Sequence, residues 1–163
     1  MTFHIDNAIR FSMNICDKCK EFGLRFNRRY KPEEFIEGKL SSEVWIVGLN
    51  PAAEEDWTDG ERDAKDLSDY FNDIEKIHPY FKDFKKVSPS LFGRFGKEGG
   101  VAHTDLIKCS SKRWPPSSCK GRTANNIINN CKTHLFNQIL SHKLKFIICN
   151  GAPVRRHIKE ILE

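Results

Sequence analysis

Val44-Trp45-Ile46-Val47-Gly48-Leu49-Asn50-Pro51-Ala52-Ala53 is the stretch whose reading decides the fold. Val44 to Val47 is an unbroken β-branched and aromatic run, the pattern of a strand buried on both faces. The run stops at Gly48, and Pro51 pushes Asn50 out of the helical region of backbone space, so the chain turns there. In an open α/β sheet, ligands sit in loops leaving the C-terminal ends of strands. An asparagine fixed at that height offers a carbonyl acceptor and an amide donor, and so can hold a water or a small polar group. An ordinary strand-to-loop turn is the competing reading of the same residues.

Further along, residues 101–109 (VAHTDLIKC) read as a second strand running into a loop at 110–121 that carries Trp114-Pro115-Pro116 and basic side chains. Thr123 looks like the N-cap of a helix, in which Ile127, Ile128, Cys131, Leu135 and Ile139 make an apolar stripe ending near Lys143. Residues 144–149 form a third strand, turning at Asn150-Gly151. Residues 153–162 form an amphipathic helix with Val154, Ile158, Ile161 and Leu162 inward. On the other side of the opening strand, Ala64, Leu67, Tyr70, Phe71, Ile74 and Ile77 predict one helix over 62–77. Residues 78–100 read as a long, partly irregular connection across the rim, 54–60 as an acidic turn, 32–40 as a loop or single helical turn, and 4–13 as a short helix. Strands alternating with helices predict an α/β fold. The expected form is a single domain over 1–163: a three-layer α/β/α sandwich around a short parallel sheet of three to four strands, with a C-terminal strand missing.

The chain has 163 residues, enough for a proper core. No stretch approaches the ~18 apolar residues of a membrane span, and the N-terminus lacks a signal-peptide pattern, so a cytoplasmic location is expected. A net charge of +5 leans mildly towards a polyanionic partner. Six cysteines outside a secreted context read as metal or cluster ligands plus core residues, not disulfides. Cys16 and Cys19 make a C-x2-C pair, a spacing used for zinc and iron–sulfur ligation, and the partners of this single pair must be scattered. Cys109 sits at a strand end and Cys131 on an inward helix face, where a buried small hydrophobe is the competing reading. Cys119, in the basic loop, is the alternative to Cys131, while Cys149 reads as core.

Taken in order, these pieces resemble the uracil-DNA glycosylase superfamily, in particular its iron–sulfur branches (families 4 and 5). The matching motifs are the N-terminal C-x2-C, the G-x-x-P-[GA] loop at Gly48-Leu49-Asn50-Pro51-Ala52, and the strand ending Ile107-Lys108-Cys109, with Trp-Pro-Pro delayed to 114–116. The C-x-x-x-L-x-x-Q-I helix follows at Cys131, Leu135, Gln138 and Ile139, and then the strand ending Gly151-Ala152. The resemblance covers roughly residues 14–155 and is weak over 55–100.

The resemblance implies a [4Fe–4S] cluster on Cys16, Cys19, Cys109 and Cys131, and Asn50 as the residue positioning the attacking water. That asparagine matches the mismatch-specific and single-strand-selective branches more than the iron–sulfur ones. Gly48, Leu49, Pro51, Ala52, Trp57 and Asp105 would surround a base flipped out of DNA, with Tyr70 and Phe71 as further candidate rings better suited to the core. Lys112, Arg113, Lys120, Arg122, Arg155 and Arg156 would contact phosphates of the DNA, and the protein would act as a monomer. The expected function is a DNA-repair N-glycosidase excising uracil or another deaminated base. A non-catalytic iron–sulfur nucleic-acid-binding relative and an unrelated α/β nucleotide-binding domain are the alternatives.

Two positions depart from the family pattern. Asp105 stands where the family reads uracil with an asparagine; an ionised aspartate only accepts hydrogen bonds, so it suits an amino-bearing edge better than uracil O4. The second catalytic motif, a His-Pro-Ser loop, is absent, and His78-Pro79 lies too early in the chain to match it.

Overall fold

A computed structural model describes residues 13–52, 62–116 and 122–163. The predicted helix at 4–13 (but for Met13), Ala53, the turn at 54–60 with Trp57, and Cys119 and Lys120 lie outside the described residues.

Strand β3 (Val44–Gly48) is the middle of a three-stranded parallel sheet, flanked by β4 (Val101–Asp105) and β5 (Phe146–Cys149) in the order β4-β3-β5. The register runs from Val44↔Val101 to Gly48↔Asp105 on one side and from Val44↔Phe146 to Val47↔Cys149 on the other. The expected α/β class with a parallel sheet is observed, and helices flank the sheet. Because side chains alternate along a strand, β3 serves two cores. Trp45 and Val47 pack with Ile127 and Leu135 of α4 (Arg122–Leu140) and with Val154 and Ile158 of α5 (Ala152–Leu162). Val44 and Ile46 pack with Phe71, Ile77, Phe81 and Phe95. Each such side chain contributes roughly 1.5–3 kcal/mol on burial.

Strand β4 lies at a sheet edge, yet all five of its residues are buried. A single antiparallel bridge covers that edge: Glu37 N donates to His103 O and His103 N to Glu37 O, both at 2.8 Å. Among the described residues no strand pairs with the opposite edge, β5. Phe146 (66% exposed) and Ile148 lie in register with Val44 and Ile46.

Several local expectations are corrected. The helix predicted over 62–77 is only α1 (Ala64–Asp69), capped reciprocally by Asp63 and Asp66. Phe71 and Ile77 still point inward, because burial in the aromatic core satisfies their spacing without a continuous helix. Residues 78–100 are irregular only in part, over 93–100: they also hold α2 (Pro79–Val87) and α3 (Pro89–Phe92), capped by His78 and Ser88. Each proline sits at a first helical position, where its missing N–H costs nothing. Thr123 lies inside α4 and is not its N-cap. Leu162 is exposed, not inward.

The N-terminal cysteine pair belongs to a hairpin absent from the sequence reading. Strands β1 (Asn14–Cys16) and β2 (Phe26–Arg28) pair antiparallel, with Cys16 opposite Phe26. Phe26, Arg28 and Tyr30 are buried, while the neighbouring Arg25 and Arg29 are exposed.

Candidate functional site

A cavity of about 780 Å³ opens at the C-terminal ends of β3 and β4, within the range of small-ligand pockets. The turn after β3 supplies Gly48, Leu49, Asn50, Pro51 and Ala52 to it, and β4 ends in it with Asp105. Tyr70, Ile77, His78, Pro79, Tyr80 and Phe81 form an aromatic wall, and Asn150 enters from the end of β5. The turn after β3 is tied to the loop after β4. Asn50 Nδ2 donates to Ser111 Oγ at 2.7 Å and to Pro51 O at 3.1 Å, while Ser111 N donates to Pro51 O at 3.2 Å. With its amine engaged, Asn50 keeps Oδ1 as an acceptor.

The floor of the cavity is charged. Arg62 donates from Nη1 and Nη2 to Glu37 Oε1, both at 3.2 Å. Glu37 Oε2 lies 3.0 Å from His103 Nδ1, and His103 Nε2 lies 3.7 Å from Asp105 Oδ1. Glu37, His103 and Asp105 are all buried. Burial works to raise the Glu37 pKa, but the His103 hydrogen bond and the charges of His103 and Arg62 outweigh it and hold it low. Burial works against a charged His103, yet Asp105 and Glu37 together hold it above the ordinary imidazole value. Asp105 is pushed up to about 6 by burial, against the pull of His103 and Lys108. This close packing requires Gly48: a Cβ there would overlap Asp105 Oδ1 and lie 3.0 Å from His103 Nε2. Tyr80 and Phe81 present ring edges to His103 at 5.6 and 4.9 Å between centroids. The Tyr80 hydroxyl accepts from Asn150 Nδ2 at 2.7 Å, and burial pushes its pKa up to about 12.

Behind the floor, Lys108 is buried and donates to Thr104 Oγ1 at 2.8 Å, Asp105 O at 2.5 Å and Gln138 Oε1 at 2.5 Å. Burial pulls its pKa down to about 7. Gln138 in turn donates to Phe35 O at 3.0 Å, so the polar atoms in this part of the core are paired.

Of the four cysteines of the resemblance, Cys19, Cys109 and Cys131 are buried in one core and Cys16 packs against it. Cys131 and Asn130 act to lower the Cys19 pKa, to about 7, while Cys19 and burial raise that of Cys131. Cys109 is close enough for its charge to act on Cys131. Asn130 Nδ2, one residue before Cys131, reaches Cys19 Sγ at 3.6 Å and donates to Lys18 O at 2.8 Å. Cys16 Sγ lies 3.8 Å from Nε2 of His134, whose Nδ1 lies 2.5 Å from Glu33 Oε1. Among the described residues, no three His, Cys, Asp or Glu side chains form a ready ligand set for a metal ion. Thiols are the right kind of donor for an iron–sulfur cluster or zinc, and Cys19, Cys109 and Cys131 are buried in one core with Cys16 packed against it. Cys149 lies apart on β5, packed against the core.

Of the basic residues singled out in the sequence, Lys112, Arg113, Arg122, Arg155 and Arg156 are exposed. Arg155, Arg156 and Lys159 line a second, shallower concavity with Ala152 and Pro153. Phe71 is core, as expected, and Tyr70 packs against that core while also lining the cavity. The sequence reading missed Glu37, Arg62, His103, Tyr80 and Asn150, and it set His78-Pro79 aside on chain order, although the fold brings both to the cavity wall. One signal was available: His103-Thr104-Asp105 puts three polar residues in succession into a strand that should be apolar on both faces.

No described helix is long and apolar enough to cross a membrane. No protein-family model matches the chain and no curated protein matches it.

Proposed function

We propose that the chain is a DNA N-glycosidase of the uracil-DNA glycosylase type, which takes a flipped base into the cavity and hydrolyses its bond to the sugar at C1′. The observation carrying this reading is the 2.7 Å hydrogen bond from Asn50 to Ser111. Ser111 follows Cys109 by two residues, so the water-holding turn and the sulfur-rich region are linked through one short loop. Asn50 Oδ1 accepts a hydrogen bond from a water and aims its oxygen at C1′. Base departure through an oxocarbenium-like sugar needs a positioned water more than a strong base. Tyr70, Tyr80 and Phe81 shield the site and offer ring faces or edges to the base, offsetting part of the unstacking cost. Lys112, Arg113, Arg122, Arg155 and Arg156 supply positive charge for the phosphates.

Cys16, Cys19, Cys109 and Cys131 would hold a [4Fe–4S] cluster. When bound, such a cluster would pin the β1–β2 hairpin to β4 and α4, a structural role. Cysteines not joined in disulfides suit a reducing compartment, and we place the protein in the cytoplasm as a monomer.

The test is incubation of anaerobically purified protein with oligonucleotides, each carrying one altered or one ordinary base, followed by alkali to cleave abasic sites. Strand cleavage at the base position supports the reading. Tight DNA binding without release of any base would instead make the chain a non-catalytic nucleic-acid-binding relative. Absence of both binding and release would discard the nucleic-acid reading. A visible absorption band that is lost in Cys109→Ser would support the cluster.

A further inference from the structure

This inference rests on the N-glycosidase reading and specifies its substrate. Asp105 is 3% exposed and lines the cavity, and no described residue donates a hydrogen bond to its carboxylate. Its nearest charged neighbour is His103, at 3.7 Å, beyond hydrogen-bond range. His103 Nε2 is itself buried without a partner. A buried polar group left unsatisfied costs free energy and calls for an explanation. Here, one such group, His103 Nε2, faces a cavity-lining carboxylate that accepts no hydrogen bond from a described residue, beside a cavity large enough for a base.

Charge accounting narrows what can fill that space. Arg62 holds Glu37, Glu37 holds His103 at Nδ1, and a charged His103 faces Asp105. The chain alternates in sign, plus, minus, plus, minus, and so is balanced with Asp105 ionised. An ionised carboxylate is an acceptor only. It is satisfied by a donor such as an exocyclic amine and repelled by a carbonyl oxygen. Gly48 keeps that carboxylate accessible, since any side chain there would occupy the same space.

We propose that Asp105 reads the amino group of an amino-bearing base, a cytosine-like or adenine-like edge, and that the site discriminates against the corresponding carbonyl edge of uracil or hypoxanthine. His103, itself held by Glu37 at Nδ1, is the cation that faces the carboxylate and favours its accepting state. An unmet hydrogen bond at such a site carries a heavy penalty for the wrong ligand, because the protein group then stays unpaired.

The experiment measures binding of free cytosine, uracil, adenine and hypoxanthine to the whole protein by calorimetric competition, in wild type and in Asp105→Asn. The wild type should bind each amino base at least tenfold more tightly than its carbonyl counterpart. Asp105→Asn, which supplies an amide donor in the same shape, should shrink or invert the ratio. Equal affinities, a preference for uracil, or no saturable binding of any of the four would overturn the inference, and the wild-type ratio decides this even if the variant folds poorly. Base release from oligonucleotides separates the two readings. Amino-base preference without any release removes the N-glycosidase reading alone, whereas release of uracil as readily as cytosine removes the inference alone.

Discussion

Glu37 and His103 are joined twice, by a reciprocal pair of backbone hydrogen bonds at 2.8 Å and by a side-chain contact of 3.0 Å between Oε2 and Nδ1. The backbone pair closes the edge of β4, and the side-chain pair starts the line of charge that reaches Asp105. Glu37→Gln keeps the backbone bridge but leaves Arg62 and His103 without their anion. Breaking a buried charge pair from one side costs about 3 kcal/mol, and urea unfolding should show a loss of that order. A loss below about 0.5 kcal/mol, the size of an ordinary surface change, would mean that Glu37 is not the counter-ion.

Stability should fall as pH rises through mildly acid values, opposite to the usual carboxylate behaviour. The folded pKa of Asp105, about 6, lies above its ordinary 3.8. The folded protein therefore retains a proton that the unfolded chain has released. The contribution is full below about pH 4 and is lost as pH climbs through about 6. His103 acts in the same direction at higher pH: its folded pKa is raised, so its contribution is present below the ordinary 6.5 and fades as pH passes the folded value. Glu37 acts oppositely, since its lowered pKa gives stability above 4.5 that disappears as pH falls through the folded value. With His103, Glu37 and Lys108 as the charges acting on Asp105, the fall due to Asp105 between about pH 4 and pH 6 is roughly 3 kcal/mol. Urea midpoints across this range should show the fall in wild type and lose it in Asp105→Asn. Parallel curves for the two proteins would contradict the raised pKa.

Gly48→Ala tests the close approach of β3 to the charged floor. The added methyl would overlap Asp105 Oδ1 and crowd His103 Nε2. Overpacking of this kind costs about 1–3 kcal/mol and should also abolish any discrimination between bases. The variant combined with Asp105→Ala should recover much of the stability, because neighbouring substitutions that relieve one clash are not additive. A double variant as unstable as the sum of the singles would place the strain elsewhere.

The sheet was legible in the sequence because β3 is a continuous apolar run with a proline-fixed exit, and because α4 and α5 carry their apolar residues at helical spacing. The C-x2-C pair was visible in the sequence, although nothing in its spacing gave the hairpin that carries it. Strands of three residues, such as β1 and β2, are too short to show alternation. The helix boundaries between 62 and 100 were lost for another reason. Phe71, Ile77, Phe81 and Phe95 fill one core from several short elements, so the apolar pattern continued where the helix did not. The polar floor was the least legible part, since Glu37 and Arg62 reach His103 from remote segments and only the fold makes them neighbours.

Asn50 should govern the chemical step and not binding. Its amine is held by Ser111 Oγ at 2.7 Å, and Ser111 Oγ donates onward to Arg113 O at 2.9 Å, so the amide is oriented before any ligand arrives. Asn50→Ala removes the water's acceptor and should abolish base release while leaving DNA affinity nearly intact. Ser111→Ala keeps the acceptor but frees its orientation, a loss of about 1 kcal/mol, which corresponds to roughly a fivefold drop in kcat with little change in KM. Single-turnover release assays and binding isotherms on both variants separate these effects. If Asn50→Ala releases base at the wild-type rate, the water is held by another group, and the turn after β3 serves only to shape the cavity.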